Sequence, residues 1–323
     1  MKIQKRIYIA WINYSPVAHN TAYYLGANVY YIQYTKSMYL KLVHYILAFI
    51  KTLFVLQQNE PDVIFVQNPP IFSVLPVWIY CRFHKKNYVI DSHSGAFLYR
   101  TWARFLWLFR YLAKQALMNI QHNDEITNRV LEWKASAMTM APLPLRLNSE
   151  SVYPLNNGFN VAVISSFAPD EPVEQIINTA NRIPSINFYM TGNLKNLKKE
   201  FLVNAPKNLI FTNFLKTDQY IALLKGCDVI MCLTSHSSTM LWGALEGLII
   251  GRPIITSNQE VLKNYFIKGT ICADNNAESL QNAIHQIKEN YKHYQEEILT
   301  LRGLRIQEWE NKFKKLLEIL NQS

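Results

Sequence analysis

The sequence is poor in the features that mark most ligand and membrane classes. Its four cysteines, Cys81, Cys227, Cys232 and Cys272, form no Cys-x-x-Cys pair. That argues against a disulfide framework or thiolate metal site and reads as reduced structural thiols in a cytoplasmic protein. No Gly-x-Gly-x-x-Gly follows a strand-like run, so the dinucleotide fingerprint is missing. No Asp-x-Asp pair is placed to hold a divalent cation on a diphosphate, and neither a metal nor any other cofactor is expected. No nucleic-acid module is recognisable, and no nucleic-acid partner is expected. The basic Met1–Arg6 run leads straight into a strand-like segment, without an apolar leader and small-residue cleavage site. The longest apolar stretch, Met38 to Leu56, is broken by Lys41, His44 and Lys51. A spanning helix needs about 20 residues almost free of charge, so this is a poor span.

Charged residues are only 17% of the chain, and the positive excess is one-sided. Residues 1–150 hold 16 Lys and Arg against 7 Asp and Glu, whereas residues 151–323 hold 17 against 16. Nearly all of the +10 net charge therefore sits in the first half, which points that half towards an anionic surface. Half of the 323 residues are hydrophobic and 13% are aromatic, enough for two packed domains and unlike a disordered chain.

Short β-rich runs alternate with helical stretches in both halves. In the first, strands are expected at Arg6–Ile12, Asn28–Gln33, Asp62–Val66, Tyr88–Ile90 and Met118–Gln121, with helices near 39–57, 72–84 and 100–115. Proline and Asn-Gly clusters, Ala141 to Leu145 and Tyr153 to Gly158, mark a linker. The second half then restarts the alternation, with strands at Val161–Ser165, Ile186–Thr191, Leu209–Thr212, Val229–Leu233 and Pro253–Thr256. Helices are expected over 172–183, 217–226 and 239–250. Val173, Ile176, Ile177, Ala180 and Ile183 share one helical face, as do Leu280, Ala283, Ile284 and Ile287. A charged amphipathic helix with an Ile306, Trp309, Phe313, Leu317 and Leu320 stripe closes the chain. Such alternation predicts parallel sheets wound with crossovers, hence an α/β protein of two Rossmann-like domains facing a cleft. The domains are assigned to 1–150 and 158–300. The C-terminal helix, 301–323, is expected to pack back towards the first domain.

The segment Leu233 to Pro253 joins a strand to the polar loop Thr234-Ser-His-Ser-Ser238-Thr239 and then to a helix carrying Glu246. Hydroxyls and backbone N–H groups at a helix N-terminus suit a diphosphate. Glu246, in the apolar setting Ala-Leu-Glu-Gly-Leu-Ile-Ile, could accept from both hydroxyls of a ribose. Ser166 and Gly192, after two strands of the second half, join Ser238, Thr239 and Glu246 as donor-binding candidates. Asp170 and Glu171 could contact donor or acceptor, or cap the following helix. In the first half, the Asp91-Ser-His93-Ser-Gly run follows a strand, and His93 or Asp91 could take the acceptor hydroxyl proton. Gln67 and Asn68 sit at another strand end, to bind sugar hydroxyls or cap the loop before Pro69-Pro70. Arg100, Arg104, Trp107 and Lys114 lie in a cationic, aromatic helical stretch suited to a lipid interface.

The Leu233–Pro253 segment resembles the donor-site helix of GT-B glycosyltransferases of the broad family-4 superfamily, whose motif ends in Glu-Ala and Gly-Lys/Arg-Pro. Asn213 to Asp228 is similar to the element that precedes it in that family. Ser165-Ser-Phe-Ala-Pro-Asp-Glu171, Gln67-Asn-Pro-Pro70 and Ile90-Asp-Ser-His93 resemble elements of the β-1,4-mannosyltransferases that build lipid-linked oligosaccharides. These matches touch most of the chain from 61 to 270. They imply a hexosyltransferase using a UDP- or GDP-linked sugar and a glycan or lipid-linked acceptor in surface polysaccharide or glycoconjugate synthesis. The protein would then be cytoplasmic, held peripherally at the inner face of an anionic membrane, and the mannosyltransferase likeness leans towards inversion. Two departures stand out. The first of two family glutamates eight apart is Ser238 here, and the first loop, Asn13 to Asn20, has no Gly-Gly pair. The alternatives are a nucleotide-sugar epimerase of the same architecture or a non-catalytic partner subunit.

Overall fold

The computed structural model describes residues 4–33, 41–143 and 146–322. It divides into two compact units, residues 1–142 with 309–323 and residues 143–308. The predicted start of the second helix at 39, and Pro144 and Leu145 of the predicted linker, lie outside the described residues.

In the first unit, β1 (Arg6–Ala10), β2 (Asn28–Tyr31), β3 (Val63–Asn68), β4 (Asn87–Ser92), β5 (Met118–Gln121) and β6 (Ala137–Thr139) form one parallel sheet in the order β2-β1-β3-β4-β5-β6. The helices that follow β1 to β5 are α1 (Pro16–Tyr24), α2 (Lys41–Asn59), α3 (Val74–His84), the group α4 (Gly95–Leu98), α5 (Arg100–Ala103) and α6 (Leu106–Gln115), and α7 (Asp124–Glu132). Side chains alternate across a strand, and here the alternation sorts two faces. Ile7, Ile9, Ile64, Val66 and Ile90 join the core made with α2, α3 and α6. Tyr8, Phe65 and Asp91 occupy the other face. Sequence pattern anticipates five of these strands to within two or three residues at most ends, but not α1, α7 or β6. Helix α1 hides because its sequence, Pro-Val-Ala-His-Asn-Thr-Ala-Tyr-Tyr, has hardly any apolar periodicity. It is specified instead by the Ser15 cap, whose hydroxyl accepts from Ala18 N, and by Pro16 in the first turn. The single helix expected over 100–115 is broken: α5 ends at Ala103, Phe105 leaves helical geometry, and α6 starts at Leu106.

The second unit repeats the scheme. Its strands are β7 (Phe159–Val163), β8 (Ile186–Thr191), β9 (Leu209–Asn213), β10 (Val229–Cys232), β11 (Ile254–Ser257) and β12 (Thr270–Ala273), in the parallel order β12-β11-β10-β7-β8-β9. The helices are α8 (Val173–Arg182), α9 (Lys199–Val203), α10 (Thr217–Gly226), α11 (Trp242–Ile250), α12 (Glu260–Tyr265), α13 (Ala277–Glu289) and α14 (Tyr291–Gln322). Strands of a parallel sheet are covered on both faces and so read as unbroken apolar runs, as in β10 with Val229, Ile230, Met231 and Cys232 all buried. The two helical stripes read from the sequence, on α8 and α13, are buried as expected. The last part of α14 belongs to the first unit. There Trp309 meets Tyr24 edge-to-face at 5.0 Å and Gln4 donates to the Leu320 carbonyl at 2.7 Å.

Strand order reverses between β7 and β10, because the chain runs outward from β7 through β8 and β9 and then returns to β10 on the other side. Ligands of doubly wound sheets bind beyond the carboxyl ends of the strands at such a switch point. Two loops meet there, Ile164–Pro172 after β7 and Leu233–Leu241 after β10.

Candidate active site

The α11 carboxylate is set by close packing beneath it. Gly243 and Gly247, one turn apart, let α11 lie directly on the sheet. A Cβ at Gly243 would meet Ile164 at 2.8 Å and one at Gly247 would meet Ile230 at 3.1 Å. Gly251, with φ +82°, ends the helix by donating to the Gly247 and Leu248 carbonyls, the left-handed stop that glycine allows. Glu246, between these glycines, is buried at 5% exposure. One of its oxygens accepts from Tyr220 Oη of α10 at 2.5 Å and the other from Trp242 Nε1 at 2.7 Å. Burial pushes the Glu246 carboxyl up to about 7, with the Tyr220 and Trp242 hydrogen bonds opposing. Each oxygen retains a second lone pair, so the group can accept further hydrogen bonds once ionised. The helix starts later than expected, at Trp242 with Leu241 as its cap. Ser238 and Thr239 therefore lie in the loop before it rather than in its first turn, and Ser238 is buried at 3%.

The loop after β7 is organised by Glu171. Its carboxylate accepts from the Ser165 hydroxyl, from Ser166 N and Oγ at 3.0 and 2.8 Å, and from Phe167 N at 2.9 Å. Asp170 ties that loop to the one after β10: Thr234 Oγ1 donates to Oδ2 at 2.6 Å, and Ser235 N donates to the Asp170 carbonyl at 2.8 Å. Neither carboxylate caps α8, whose cap is Pro172, so that structural alternative falls. Gly192, with φ +128°, lies against the same loop. A Cβ there would come within 2.7 Å of both the Ser165 carbonyl and the Phe167 ring. Gly192→Ala is expected to cost about 1–3 kcal/mol from backbone strain alone. The measurement is a Tm drop together with loss of nucleotide stabilisation; an unchanged Tm would show that the loop accommodates the methyl group.

In the first unit a polar cluster caps the carboxyl ends of β3, β4 and β5. Asp91 is 1% exposed. Its Oδ2 accepts from Tyr8 Oη at 2.6 Å and its Oδ1 pairs with His122 Nε2 at 3.0 Å. Burial alone would raise the Asp91 carboxyl, but the hydrogen bond and charge of His122, then His93 and Tyr8, hold it below its ordinary value. An ionised carboxylate only accepts, so His122 donates to it through Nε2. His93, the sequence candidate, stands beside this pair with its ring 4.6 Å from that of His122. Burial and the neighbouring His122 push it down to about 4, against the pull of Asp91, and its buried Nε2 has no partner among the described residues.

Gln67, paired in register with Asp91, is buried, with Oε1 lacking a partner among the described residues. Asn68 donates to Ser92 Oγ at 3.2 Å. Asp91 and His122, with Asn20 and Thr21 of α1, Met140, Pro142 and Trp309, line a small cavity. Sequence reasoning misses His122, which sits alone after β5 with no motif around it; only the sheet register, Asp91 opposite Ile120, brings it near. Asp91, His93 and His122 place ligand-type atoms within 4.8 Å of one another, the one such grouping among the described residues.

Arg100, Arg104 and Lys114 are exposed, and Trp107 is 69% exposed. The break at Phe105 separates the first two from the α6 face that holds Trp107, Tyr111 and Lys114, so the single continuous face expected from the sequence does not form.

Residues 153–298 match the family model described as Glycosyl transferases group 1. Sucrose-phosphate synthase from Thermosynechococcus elongatus superposes with a TM-score of 0.75 at 15% identity, covering 99% of each chain. HepE from Anabaena, solved in complex with UDP-glucose, superposes with a TM-score of 0.76 at 13% identity over 98% of this chain and 100% of that one. The chain has the GT-B fold, and its second unit matches a glycosyltransferase family. The same GT-B fold also resembles a putative UDP-N-acetylglucosamine 2-epimerase from Listeria monocytogenes, with a TM-score of 0.65 at 9% identity over 97% of each chain. A search of the curated proteins gives no match. No described helix of this GT-B chain is long and apolar enough to cross a membrane.

Proposed function

We propose that this glycosyltransferase moves a hexose from a UDP- or GDP-linked sugar to a glycan or lipid-linked acceptor presented at the inner surface of an anionic membrane, in polysaccharide or glycoconjugate synthesis. The observation that carries the donor half is Glu246: a buried carboxylate, braced by Tyr220 and Trp242, in the unit that matches the glycosyltransferase family and at the switch-point end of its sheet. Such a group accepts from the paired hydroxyls of a ribose, and the loops after β7, β8 and β10 would supply Ser166, Gly192, Ser238 and Thr239 to the rest of the donor. UDP or UDP-glucose in the HepE structures supports a uridine donor. The diphosphate is held by hydroxyls and backbone N–H groups, with no cation required, since no Asp-x-Asp pair is present.

The acceptor half rests on the first unit. Transfer with inversion needs one base to take the acceptor hydroxyl proton as the sugar carbon is attacked. The Asp91–His122 pair meets that need: Asp91 fixes the tautomer and Nδ1 of His122 receives the proton. Gln67 and Asn68, and His93 beside the pair, would line the acceptor. The positive excess of residues 1–150 and the exposed Arg100, Arg104, Trp107 and Lys114 support docking on anionic lipid.

The test is thermal stabilisation by a panel of UDP- and GDP-sugars, followed by turnover of whichever sugar binds. A donor at a hundred times its Kd adds about 2.7 kcal/mol to the folded state, which is an easily read rise in Tm. No stabilisation by any nucleotide-sugar would sink the donor reading. Conversion of the bound sugar with no acceptor present would assign the chain to the epimerases that share its fold.

A further inference from the structure

Helix α2 carries an apolar face that its own unit does not cover. Leu42, Val43, Ile46, Leu47, Ile50 and Phe54 are 51–73% exposed. At about 100° per residue they span one arc of roughly 140°. The opposite side of the helix is fully used. Ala48, Val55 and Leu56 are buried in the core, and Thr52 accepts from Trp11 Nε1 at 2.8 Å. Six large apolar side chains open to water on one helix are costly, because apolar surface left wet forgoes the gain of burial. A contiguous patch of this kind marks an interaction surface.

What surrounds the patch identifies its occupant. Helix α2 packs on α3, and α3 on α6, in the layer on one face of the first sheet. That layer also exposes Phe83 at 81%, Trp107 at 69% and Tyr111 at 49%. Residues 41–115 contain nine Lys and Arg and only three acids, Glu60, Asp62 and Asp91. Of those acids, Asp91 is buried and Asp62 pairs with Lys86 at 2.9 Å. A second copy of the chain would set this excess of cations against itself, and an anionic lipid surface complements it.

We infer that α2 lies in the membrane plane with Leu42, Val43, Ile46, Leu47, Ile50 and Phe54 inserted at the headgroup–acyl boundary of an anionic bilayer, the cations of the α3–α6 layer resting on the headgroups. At about 1.5 Å per residue, α2 is roughly 28 Å long. It is interrupted by charge, which suits a helix lying along the surface and not across it. The inference rests on the membrane-surface part of the function proposed above and moves the principal contact from residues 100–114 to α2.

The experiment is flotation of the full chain with vesicles of phosphatidylcholine and phosphatidylglycerol, comparing wild type with Ile46→Glu/Ile50→Glu/Phe54→Glu and with Arg100→Glu/Arg104→Glu/Lys114→Glu. The α2 variant is expected to lose vesicle binding at least tenfold at both low and high salt. The arginine–lysine variant should weaken binding chiefly at low salt, because only its contribution is screened. All three proteins should keep the Tm of the wild type, since the altered side chains are exposed. Vesicle binding unchanged in a folded α2 variant overturns the inference. So does a wild-type dimer that the α2 substitutions dissociate while vesicle binding persists, which would make the face an interface between copies. Nucleotide-sugar stabilisation, measured in parallel, keeps the two readings apart. If no nucleotide-sugar stabilises the wild type but the α2 variant still loses vesicles, the donor reading fails and the α2 inference stands.

Discussion

Glu246→Gln is expected to weaken nucleotide-sugar binding about ten- to a hundredfold while leaving the protein folded. The lost contact is a charge-assisted hydrogen bond from a ribose hydroxyl, about 1.5–3 kcal/mol. The fold survives because glutamine keeps the local pairing: its carbonyl accepts from Trp242, and its amide donates to Tyr220, whose hydroxyl also accepts. The pH dependence separates this from a general loss of structure. Burial raises the Glu246 carboxyl from its ordinary 4.5 to about 7. A raised acid contributes its stability below the unfolded value, near 4.5, and that contribution is lost as pH rises through about 7. Ribose hydroxyls bind the ionised form, so donor affinity of the wild type should climb as pH passes 7 and then level off. In Glu246→Gln both trends should flatten, and the variant should be at least as stable as wild type at pH 8, having no buried charge to lose. Isothermal titration at pH 6, 7 and 8 checks the first, thermal melts the second. Wild-type donor affinity independent of pH, or a variant that binds as well as wild type, would remove Glu246 from the ribose.

The reach of the sequence differed between the two units for a physical reason. In the second unit the donor candidates cluster within a single strand–loop–helix segment and two neighbouring loops, so local pattern suffices to list them. What local pattern leaves out is how the loop is tied together. Glu171 and Asp170 read as donor or acceptor contacts or as caps of the following helix, whereas four donors in the Ser165–Phe167 turn converge on Glu171, and Thr234 closes on Asp170. In the first unit the cluster is assembled from Tyr8 on β1, Asp91 on β4 and His122 beyond β5, residues brought together only by strand order. No spacing rule finds a histidine 31 positions from its carboxylate. The amphipathic stretch 41–59 poses the reverse problem. Its period is plainly helical, but an apolar arc does not say whether core or solvent covers it, and α2 turns out to use one arc for each.

Removing the acceptor-side base should give the largest effect on turnover. His122→Ala is expected to lower kcat about a hundred- to ten-thousandfold, the usual range for a positioned general base. Nucleotide-sugar affinity should be unchanged, because the donor residues all belong to the other unit. Asp91→Asn should fall nearly as far: an amide offers its carbonyl to Nε2 less strongly than a carboxylate, and its NH2 group can instead impose the wrong tautomer on His122. Tyr8→Phe keeps the carboxylate and loses one of its donors, so its loss should be smaller, about tenfold. The split between the kinetic constants is the readout that a merely structural role would not move: in His122→Ala kcat should fall while the donor KM stays at the wild-type value. His93→Ala is the decisive comparison. Burial and His122 push its ring down to about 4, which makes it a weak base near neutral pH, so its removal should cost far less in kcat. If His93→Ala abolishes turnover and His122→Ala keeps activity within about tenfold of wild type, the proton is taken by His93, and His122 serves to orient Asp91.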